Sequence, residues 1–167
     1  IGYMTFIIAW MRGQGASTGL VVAVWCLLGL ATWLAPLVWR YPAEHWPGGR
    51  PLAAVMAVLA TGAALPLLSG HVAVLLASAL LFGGAMFSAP SSVSSFIKRA
   101  LPKPAWGSAM ATFTVMFAAG QIVGPVAIGW LADLTGSLAG GLAVSAALLA
   151  LGAVIALFQP DRRAPAP

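Results

Sequence analysis

The sequence predicts an all-α membrane protein, and three observations support this fold class. The 167 residues are 61% hydrophobic and 7% charged, with a mean hydropathy of +0.99, whereas soluble domains carry about 25% charged residues. All eight basic and three acidic residues lie between, or at the edges of, five long apolar runs. Seven of the eight basic residues also fall in every second gap between runs. A charge at the bilayer centre costs about 2.5–3.5 kcal/mol on insertion scales, so membrane-spanning helices avoid it.

The apolar runs predict five complete spans preceded by a shorter one. Residues 1–11 supply about half of the 20 residues that a spanning helix needs. Because Ile1 already lies in an apolar stretch, we expect the sequence to begin partway through a span of a longer protein. The run 51–97 is too long for one crossing, and Ser69-Gly70-His71 is expected to break it. The other predicted spans are residues 18–39, 52–68, 72–97, 106–132 and 138–158.

These spans predict one six-helix domain over residues 1–159, followed by a short tail. Alternating prolines in residues 160–167 predict a disordered tail. Positively charged connections face the cytoplasm, so the basic gaps place this tail on the cytoplasmic side. The seven basic residues on that side are Arg40, Arg50, Lys98, Arg99, Lys103, Arg162 and Arg163, and Arg12 alone falls on the other.

The positions of the remaining polar residues argue against several classes of function. The basic residues stand at span ends, a pattern of membrane orientation rather than of nucleic-acid binding. His45 and His71 lie in connections, and Glu44 and Asp133 at helix ends, so no catalytic cluster forms within a span. The sequence therefore predicts no enzyme, no cofactor, no metal and no nucleic-acid partner.

The six predicted helices differ in polarity. The third and sixth consist mostly of Ala, Leu, Val and Gly, and their only mid-span hydroxyls are Thr61 and Ser145. The other four carry nearly all of the aromatic and hydrogen-bonding side chains. Apolar helices can face lipid, whereas polar groups need partners or a wet cavity. Two triplets, each ending in an apolar helix, suggest a three-plus-three inverted repeat.

The fifth predicted helix carries the motif GQIVGP at residues 120–125, followed by Gly129. Gly120, Gly124 and Gly129 are small residues at four- and five-residue spacing, which lets another helix approach closely. Pro125 is expected to kink or soften the span. The Gln121 amide needs hydrogen-bond partners, and either a neighbouring helix or a substrate cavity could supply them.

Other polar positions also leave two interpretations open. Thr114 and Phe117 share a helix face with Gln121, at i, i+3 and i+7. Near Pro90, Ser88 and Ser92 could hydrogen-bond the backbone carbonyl that the proline leaves free, or they could line a cavity. On the second helix, Trp25 and Thr32 share a stripe that is either buried by packing or exposed to the same cavity. The full stripe consists of Trp25, Gly29, Thr32 and Pro36.

Three segments resemble the C-terminal half, helices seven to twelve, of a major facilitator superfamily transporter. They are the second span with Trp25 and Gly29, the connection Gly48-Gly49-Arg50, and residues 120–136. Within that superfamily, the sequence is most similar to the uncharacterised bacterial YbfB/YjiJ-type branch, partly through residues 3–6. The resemblance implies a bacterial inner-membrane protein that works by alternating access around a midplane site. It also implies that an N-terminal six-helix half is the partner, with helices seven, eight, ten and eleven beside the cavity.

The chain departs from the family pattern at two places. The cytoplasmic charge-relay motif that often follows the eighth helix is reduced here to Gly49 and Arg50, and Arg40 stands near the position of its acid. The Gly-Pro element resembles an antiporter-type motif of the other half, but Ile128 replaces one of its glycines. Efflux is therefore not implied, and the resemblance assigns Asp133 a gating contact.

The leading hypothesis is half of a secondary transporter for a small organic solute. Any acid that couples transport to an ion is expected in the other half, because no charged residue lies mid-span here. The alternative hypothesis is a membrane scaffold or assembly subunit whose polar groups only hold helices together. The predicted cavity residues are Tyr3, Trp25, Thr32, Ser88, Thr114, Phe117 and Gln121, and the predicted packing and gating residues are Gly120, Gly124, Pro125, Gly129 and Asp133.

Overall fold

The computed structural model describes residues 2–161, without the side chain of Thr135, and this part of the chain contains only helices and connections. Ile1, Arg162, Arg163 and the rest of the predicted tail beyond Asp161 lie outside the described residues. The helices are α1 (Gly2–Gly13), α2 (Thr18–His45), α3 (Arg50–Leu68), α4 (Val72–Met86), α5 (Ser88–Ala100), α6 (Trp106–Thr135) and α7 (Leu138–Leu157), with a 3-10 turn at Lys103–Ala105.

Five helical segments are long and apolar enough to cross a membrane. They are Thr18–His45, Arg50–Leu68, Val72–Ala100, Lys103–Leu134 and Leu138–Leu157, and each contains an 18-residue window with a mean hydropathy of 1.7 to 2.3. The third of them combines α4 with α5, and the fourth combines the 3-10 turn with α6. The prediction of an all-α membrane fold is confirmed.

Local capping explains where three of the helices begin. The Ser17 hydroxyl accepts a hydrogen bond from the Leu20 amide at 3.2 Å, and Ser137 does the same for Ala139 at 3.2 Å. At the start of α4, the His71 Nδ1 accepts from the Ala73 amide at 3.3 Å. Each cap satisfies an amide that the first helical turn leaves without a backbone partner.

Helix α2 extends six residues beyond the predicted span, which ended at Trp39. The additional residues include Arg40 and Glu44, whose side chains approach to 3.4 Å one turn apart. Such a pair supports a solvent-exposed helix end. Hydropathy identifies the part of a helix that hydrocarbon surrounds, so it does not predict where a helix ends in water.

The predicted fourth span is divided into α4 and α5 at Phe87. Pro90 has no amide hydrogen and cannot donate to the carbonyl four residues earlier, which belongs to Met86, the last residue of α4. The Phe87 backbone keeps helical angles, with φ −87° and ψ −7°. The proline therefore interrupts the hydrogen-bond ladder without ending the span.

Helix α3 lies at the centre of the packing, against α4 on one side and α7 on the other, and α2 packs on α4. Glycines allow the closest approaches. A Cβ atom at Gly62 would lie 2.9 Å from the Phe82 amide nitrogen on α4. A Cβ atom at Gly83 would overlap the Leu28 carbonyl oxygen on α2. These helices approach backbone to backbone, as is typical of membrane bundles.

Helix α6 is the least buried of the long helices. Every residue from 114 to 120 is exposed, although these residues lie in the middle of the helix. Its C-terminal half is anchored through Ile128, which packs where Gly2 of α1 and Gly141 of α7 leave room. The middle of α6 therefore carries an apolar surface that the described helices do not cover.

Two hydrogen bonds to backbone carbonyls bring several chain segments to one end of the bundle. The Arg99 guanidinium donates a 2.7 Å hydrogen bond to the Ala43 carbonyl, which joins the C-terminal ends of α5 and α2. The Gly49 amide donates to the Gln159 carbonyl at 3.2 Å, which joins the α2–α3 connection to the end of α7. The basic residues of these connections therefore lie at the same end.

Candidate functional site

The predicted cavity residues fall into two groups in the structure. Tyr3, Thr32 and Ser88 lie in contacts between or within helices. Trp25 is half-buried and packs against the buried hydrophobic residues of the bundle. The remaining three, Thr114, Phe117 and Gln121, lie together on α6.

Tyr3 belongs to a buried hydrogen-bonded chain that joins three helices. Its hydroxyl lies 2.7 Å from the Ser78 hydroxyl of α4, which in turn donates to the Gly62 carbonyl of α3 at 2.6 Å. The Tyr3 ring stacks on Phe82 with centroids 4.0 Å apart, and the side chain is 2% exposed. In this arrangement Tyr3 connects α1 to α4 and α3. Ser78 was not among the predicted site residues, and only its mid-span hydroxyl could have indicated it.

The hydroxyls of Thr32 and Ser92 also donate hydrogen bonds to backbone carbonyls. Thr32 Oγ1 lies 2.9 Å from the Leu28 carbonyl of its own helix and 3.0 Å from the Gly83 carbonyl of α4, so its single proton is shared between α2 and α4. Ser92 donates to the Ser88 carbonyl at 2.8 Å, and both serines are buried. The Ser92 hydroxyl is thus used within α5, but its acceptor is the Ser88 carbonyl and not the Met86 carbonyl that Pro90 leaves free, so both interpretations of the serine cluster stay open.

The three α6 residues form a small amphipathic surface. Thr114 is exposed and donates to the Met110 carbonyl at 2.8 Å, so its oxygen lone pairs remain available on the helix surface. Phe117 is 43% exposed and stacks on Phe113 at 5.7 Å. Gln121 is half-buried one turn further along. We call Thr114, Phe117 and Gln121 the α6 face.

The predicted packing glycines of α6 differ in their surroundings: Gly120 and Gly124 face open space, whereas Gly129 faces another helix. A Cβ atom at Gly120 or Gly124 would meet no atom within 4 Å, so no described helix uses these glycines for close approach. Gly129 faces α1, since a Cβ atom there would lie 3.6 Å from the ring of Phe6. Pro125 is half-buried within the helix and Asp133 is exposed near its end.

Gly49 has a structural contact that the sequence did not indicate. Gly48 and Gly49 are buried against the last turn of α7, and a Cβ atom at Gly49 would overlap the Ala156 carbonyl oxygen. Gly48 has φ +57°, a left-handed angle that favours glycine. Arg50 follows as the first residue of α3 and its side chain is exposed. The two glycines therefore allow the α2–α3 connection to pack closely on the end of α7.

Two cavities are formed mainly by residues outside the predicted set. A groove of about 770 Å³ runs between α3 and α7, and a smaller cavity of about 230 Å³ lies beside Gly48, Gly49 and Ser92. Neither is lined by any of the predicted cavity residues. Among residues 2–161, no three His, Cys, Asp or Glu side chains lie close enough together to hold a metal ion.

Replacing Tyr3 with phenylalanine is expected to lower the free energy of unfolding by about 1 kcal/mol, because one interhelical hydrogen bond is lost while the ring still stacks on Phe82. The matched control is Tyr41→Phe, which changes the other tyrosine of the chain at an exposed position. Thermal unfolding of the purified protein in detergent measures both variants. Equal stability of the two would contradict a structural role of the Tyr3 hydroxyl.

Comparison with known proteins agrees with the arrangement of helices. The family model described as "Uncharacterised MFS-type transporter YbfB" matches residues 1–157. A curated protein of Agrobacterium vitis, described as "Putative tartrate transporter", is 38% identical over 121 residues. That match covers 72% of this chain and 26% of the relative, so the chain spans about a quarter of the relative's length. No solved structure matches.

The family match extends over the five candidate spans and the short α1 before them, to the end of α7. It therefore includes the α6 face, the glycines of the α2–α3 connection and the apolar pair α3 and α7. The family that the residue motifs predicted is thereby confirmed. This integral membrane protein belongs to the YbfB-type family of major facilitator superfamily transporters.

Proposed function

We propose that the chain forms the C-terminal half of a secondary active transporter, which moves a small organic solute by alternating access. The observation that carries this proposal is the exposed middle of α6. Residues 114–120 are all exposed, although they lie mid-span and include Thr114 and Phe117. The Gln121 amide directly follows this stretch, and at that depth it needs hydrogen-bond partners, which a partner helix or a wet cavity could supply. An N-terminal six-helix half across a central cavity supplies both.

The side chains of the α6 face suggest how it contacts a solute. Phe117 offers an aromatic surface, and the hydroxyl of Thr114 and the amide of Gln121 offer hydrogen bonds that orient a polar molecule. Tyr3, Thr32 and Ser88 are used in contacts of other helices, and Trp25 is half-buried on α2, so none of the four belongs to this surface in the described arrangement. Reaching the cavity would require α1, α2 and α4 to move apart during the transport cycle.

The substrate class follows from the groups that this half contains. The described spans carry hydroxyl, amide and aromatic groups but no mid-span cation. The relative described as "Putative tartrate transporter" suggests the solute class, because tartrate itself carries two hydroxyls and two carboxylates. We infer that this half binds the hydroxyl-bearing portion of a small polyhydroxy solute. Cations that pair with carboxylates, and any acid that couples transport to an ion, would come from the other half.

The orientation is part of the same proposal. The Arg99–Ala43 and Gly49–Gln159 contacts place the basic connections at one end of the bundle. By the positive-inside rule this end faces the cytoplasm of a bacterial inner membrane. A tag after Pro167 is then expected to react with a membrane-impermeant reagent only in lysed cells. Labelling of the tag in intact cells would show that the orientation is the opposite of the proposed one.

Replacing Gln121 with leucine is expected to reduce transport about tenfold or more, because the solute loses a hydrogen bond at the cavity surface. The full-length protein is reconstituted in liposomes, and exchange of labelled tartrate and related polyhydroxy acids is measured. Gln14→Leu, in the exposed α1–α2 connection, is the matched control and should exchange at the normal rate. Equal rates for both variants would remove Gln121 from the site.

The scaffold hypothesis has one observation in its favour. The Tyr3–Ser78 and Thr32–Gly83 hydrogen bonds show polar groups that hold helices together. The same reconstitution experiment distinguishes the two functions. A scaffold exchanges no solute in any variant, whereas a transporter exchanges at least one member of the solute panel and loses it in Gln121→Leu.

A further inference from the structure

The groove between α3 and α7 is long, apolar and open along one side of the bundle. Its lining residues on α3 begin at Arg50 and end at Thr61, and those on α7 run from Ala150 to Leu157. Six of the twelve lining residues are alanines, spaced so that they share one face of each helix. Because alanine fills little space, the two helices leave about 770 Å³ between their exposed surfaces.

The groove exists although α3 and α7 are tightly packed behind it. The Met56 side chain of α3 reaches Gly152 of α7, where a Cβ atom would lie 2.5 Å from its terminal methyl, so this side chain fills the space between the helices on that side. The one hydroxyl in the groove, that of Thr61, donates to the Ala57 carbonyl of its own helix at 2.9 Å. The part of the groove formed by the alanines and Thr61 therefore presents no unsatisfied side-chain donor to an apolar occupant.

One end of the groove differs from the rest. Arg50 lies there with an exposed side chain, next to Trp46. Within residues 2–161 no carboxylate lies within ion-pair distance of Arg50, since the ion pair found there joins Arg40 and Glu44. Tryptophan is enriched at the interface between water and hydrocarbon. The cationic end of the groove therefore lies at the depth of lipid headgroups.

The length of the groove matches one leaflet of a bilayer. Arg50 and Thr61 are eleven residues apart in sequence. At a rise of 1.5 Å per residue this corresponds to about 16 Å along the axis of α3. Half of the bilayer hydrocarbon core measures about 15 Å. An acyl chain that starts at the level of Arg50 would end near the midplane, where the groove ends.

We propose that the α3–α7 groove is a binding site for one anionic phospholipid, with an acyl chain along the alanines and the phosphate paired with the Arg50 guanidinium. Charge, depth and shape all favour this occupant. A second copy of the chain would fill the groove with side chains, and Arg50 would then need an acidic partner. The site is separate from the α6 face and does not depend on the transported solute.

The test is native mass spectrometry of the full-length protein, released from detergent micelles that contain phosphatidylglycerol or phosphatidylcholine with identical acyl chains. The wild type is expected to retain one phosphatidylglycerol that it prefers about fivefold over phosphatidylcholine, the advantage of one basic residue near a lipid surface. In Arg50→Gln this preference should disappear. Arg40→Gln, at an exposed arginine outside the groove, is the matched control and should keep it.

Filling the groove tests the acyl-chain contact independently of charge. Ala57→Phe and Ala150→Phe place a ring in the groove from opposite helices, and both positions are exposed, so neither variant disturbs the core. Each should reduce retention of both lipids. The proposal is overturned if Arg50→Gln keeps the preference, or if both phenylalanine variants retain lipid normally. Displacement of the lipid by millimolar glycerol 3-phosphate, or a protein dimer in its place, would also overturn it.

Discussion

Alanine in place of Gly83 is expected to lower the thermal unfolding temperature of the purified protein, whereas alanine at the adjacent Gly84 is not. A Cβ atom at Gly83 would overlap the Leu28 carbonyl oxygen and lie 2.9 Å from the Leu28 Cα. These are backbone atoms of α2 and cannot rotate away. At Gly84 the added carbon would meet nothing within 4 Å.

The expected size of the Gly83 effect follows from two opposing terms. Overpacking a close helix contact costs about 1–3 kcal/mol, and separating α2 from α4 also lengthens the 3.0 Å bond from Thr32 to the Gly83 carbonyl. Alanine favours the helical state over glycine by about 1 kcal/mol, which offsets part of that cost. Gly84→Ala gains the helix propensity of alanine without overpacking, so its unfolding temperature should equal or exceed that of the wild type.

Thermal unfolding in detergent, followed by tryptophan fluorescence or by loss of the monodisperse species, measures this pair of variants. Thr32→Val separates hydrogen bonding from packing and should cost less than Gly83→Ala. Equal unfolding temperatures for Gly83→Ala and Gly84→Ala would show that α2 and α4 do not approach as closely as the structure indicates.

Leucine in place of Gly120 is expected to abolish most transport while the protein still inserts and remains folded. A Cβ atom at Gly120 would meet no atom within 4 Å and the residue is exposed, so the described helices leave room for a larger side chain there. In the proposed transporter this surface faces the other half. An overpacked contact of about 1–3 kcal/mol in one of two conformations changes their ratio by about 5- to 150-fold.

Gly107→Leu is the matched control, because Gly107 is also exposed on α6 with no atom within 4 Å, but it lies in the first turn. Both variants are compared for membrane insertion, for unfolding temperature and for solute exchange in liposomes. Normal exchange in Gly120→Leu would mean that the middle of α6 faces lipid. Loss of insertion in that variant would mean that a described helix packs on Gly120 after all.

Helix type and span order could be predicted because each depends on local sequence. Residues 18–39 and 138–158 are uncharged and long enough to cross a bilayer, and α2 and α7 include them almost completely. The end of α2 and the division at Phe87 were not predicted. The first lies in water, where hydropathy carries no signal, and the second depends on one missing amide at Pro90.

The candidate site could be predicted only in part. Hydroxyl and amide groups in apolar spans indicate where polar contacts must occur, and Thr114, Phe117 and Gln121 do share a helix face. Sequence spacing does not reveal which groups other helices use. Tyr3 and Ser78 are 75 residues apart, and Thr32 and Gly83 are 51 apart, yet each pair is hydrogen-bonded.

The sequence by itself determined that this chain is a helical membrane protein of a transporter family, with its basic residues in alternate connections. It could do so because bilayer thickness and the cost of buried charge act on each segment separately. Only the tertiary structure decided which polar groups hold helices together, and it alone revealed the open α6 face and the alanine groove beside Arg50. Those features depend on how closely distant backbones approach, and packing contacts between helices determine that distance.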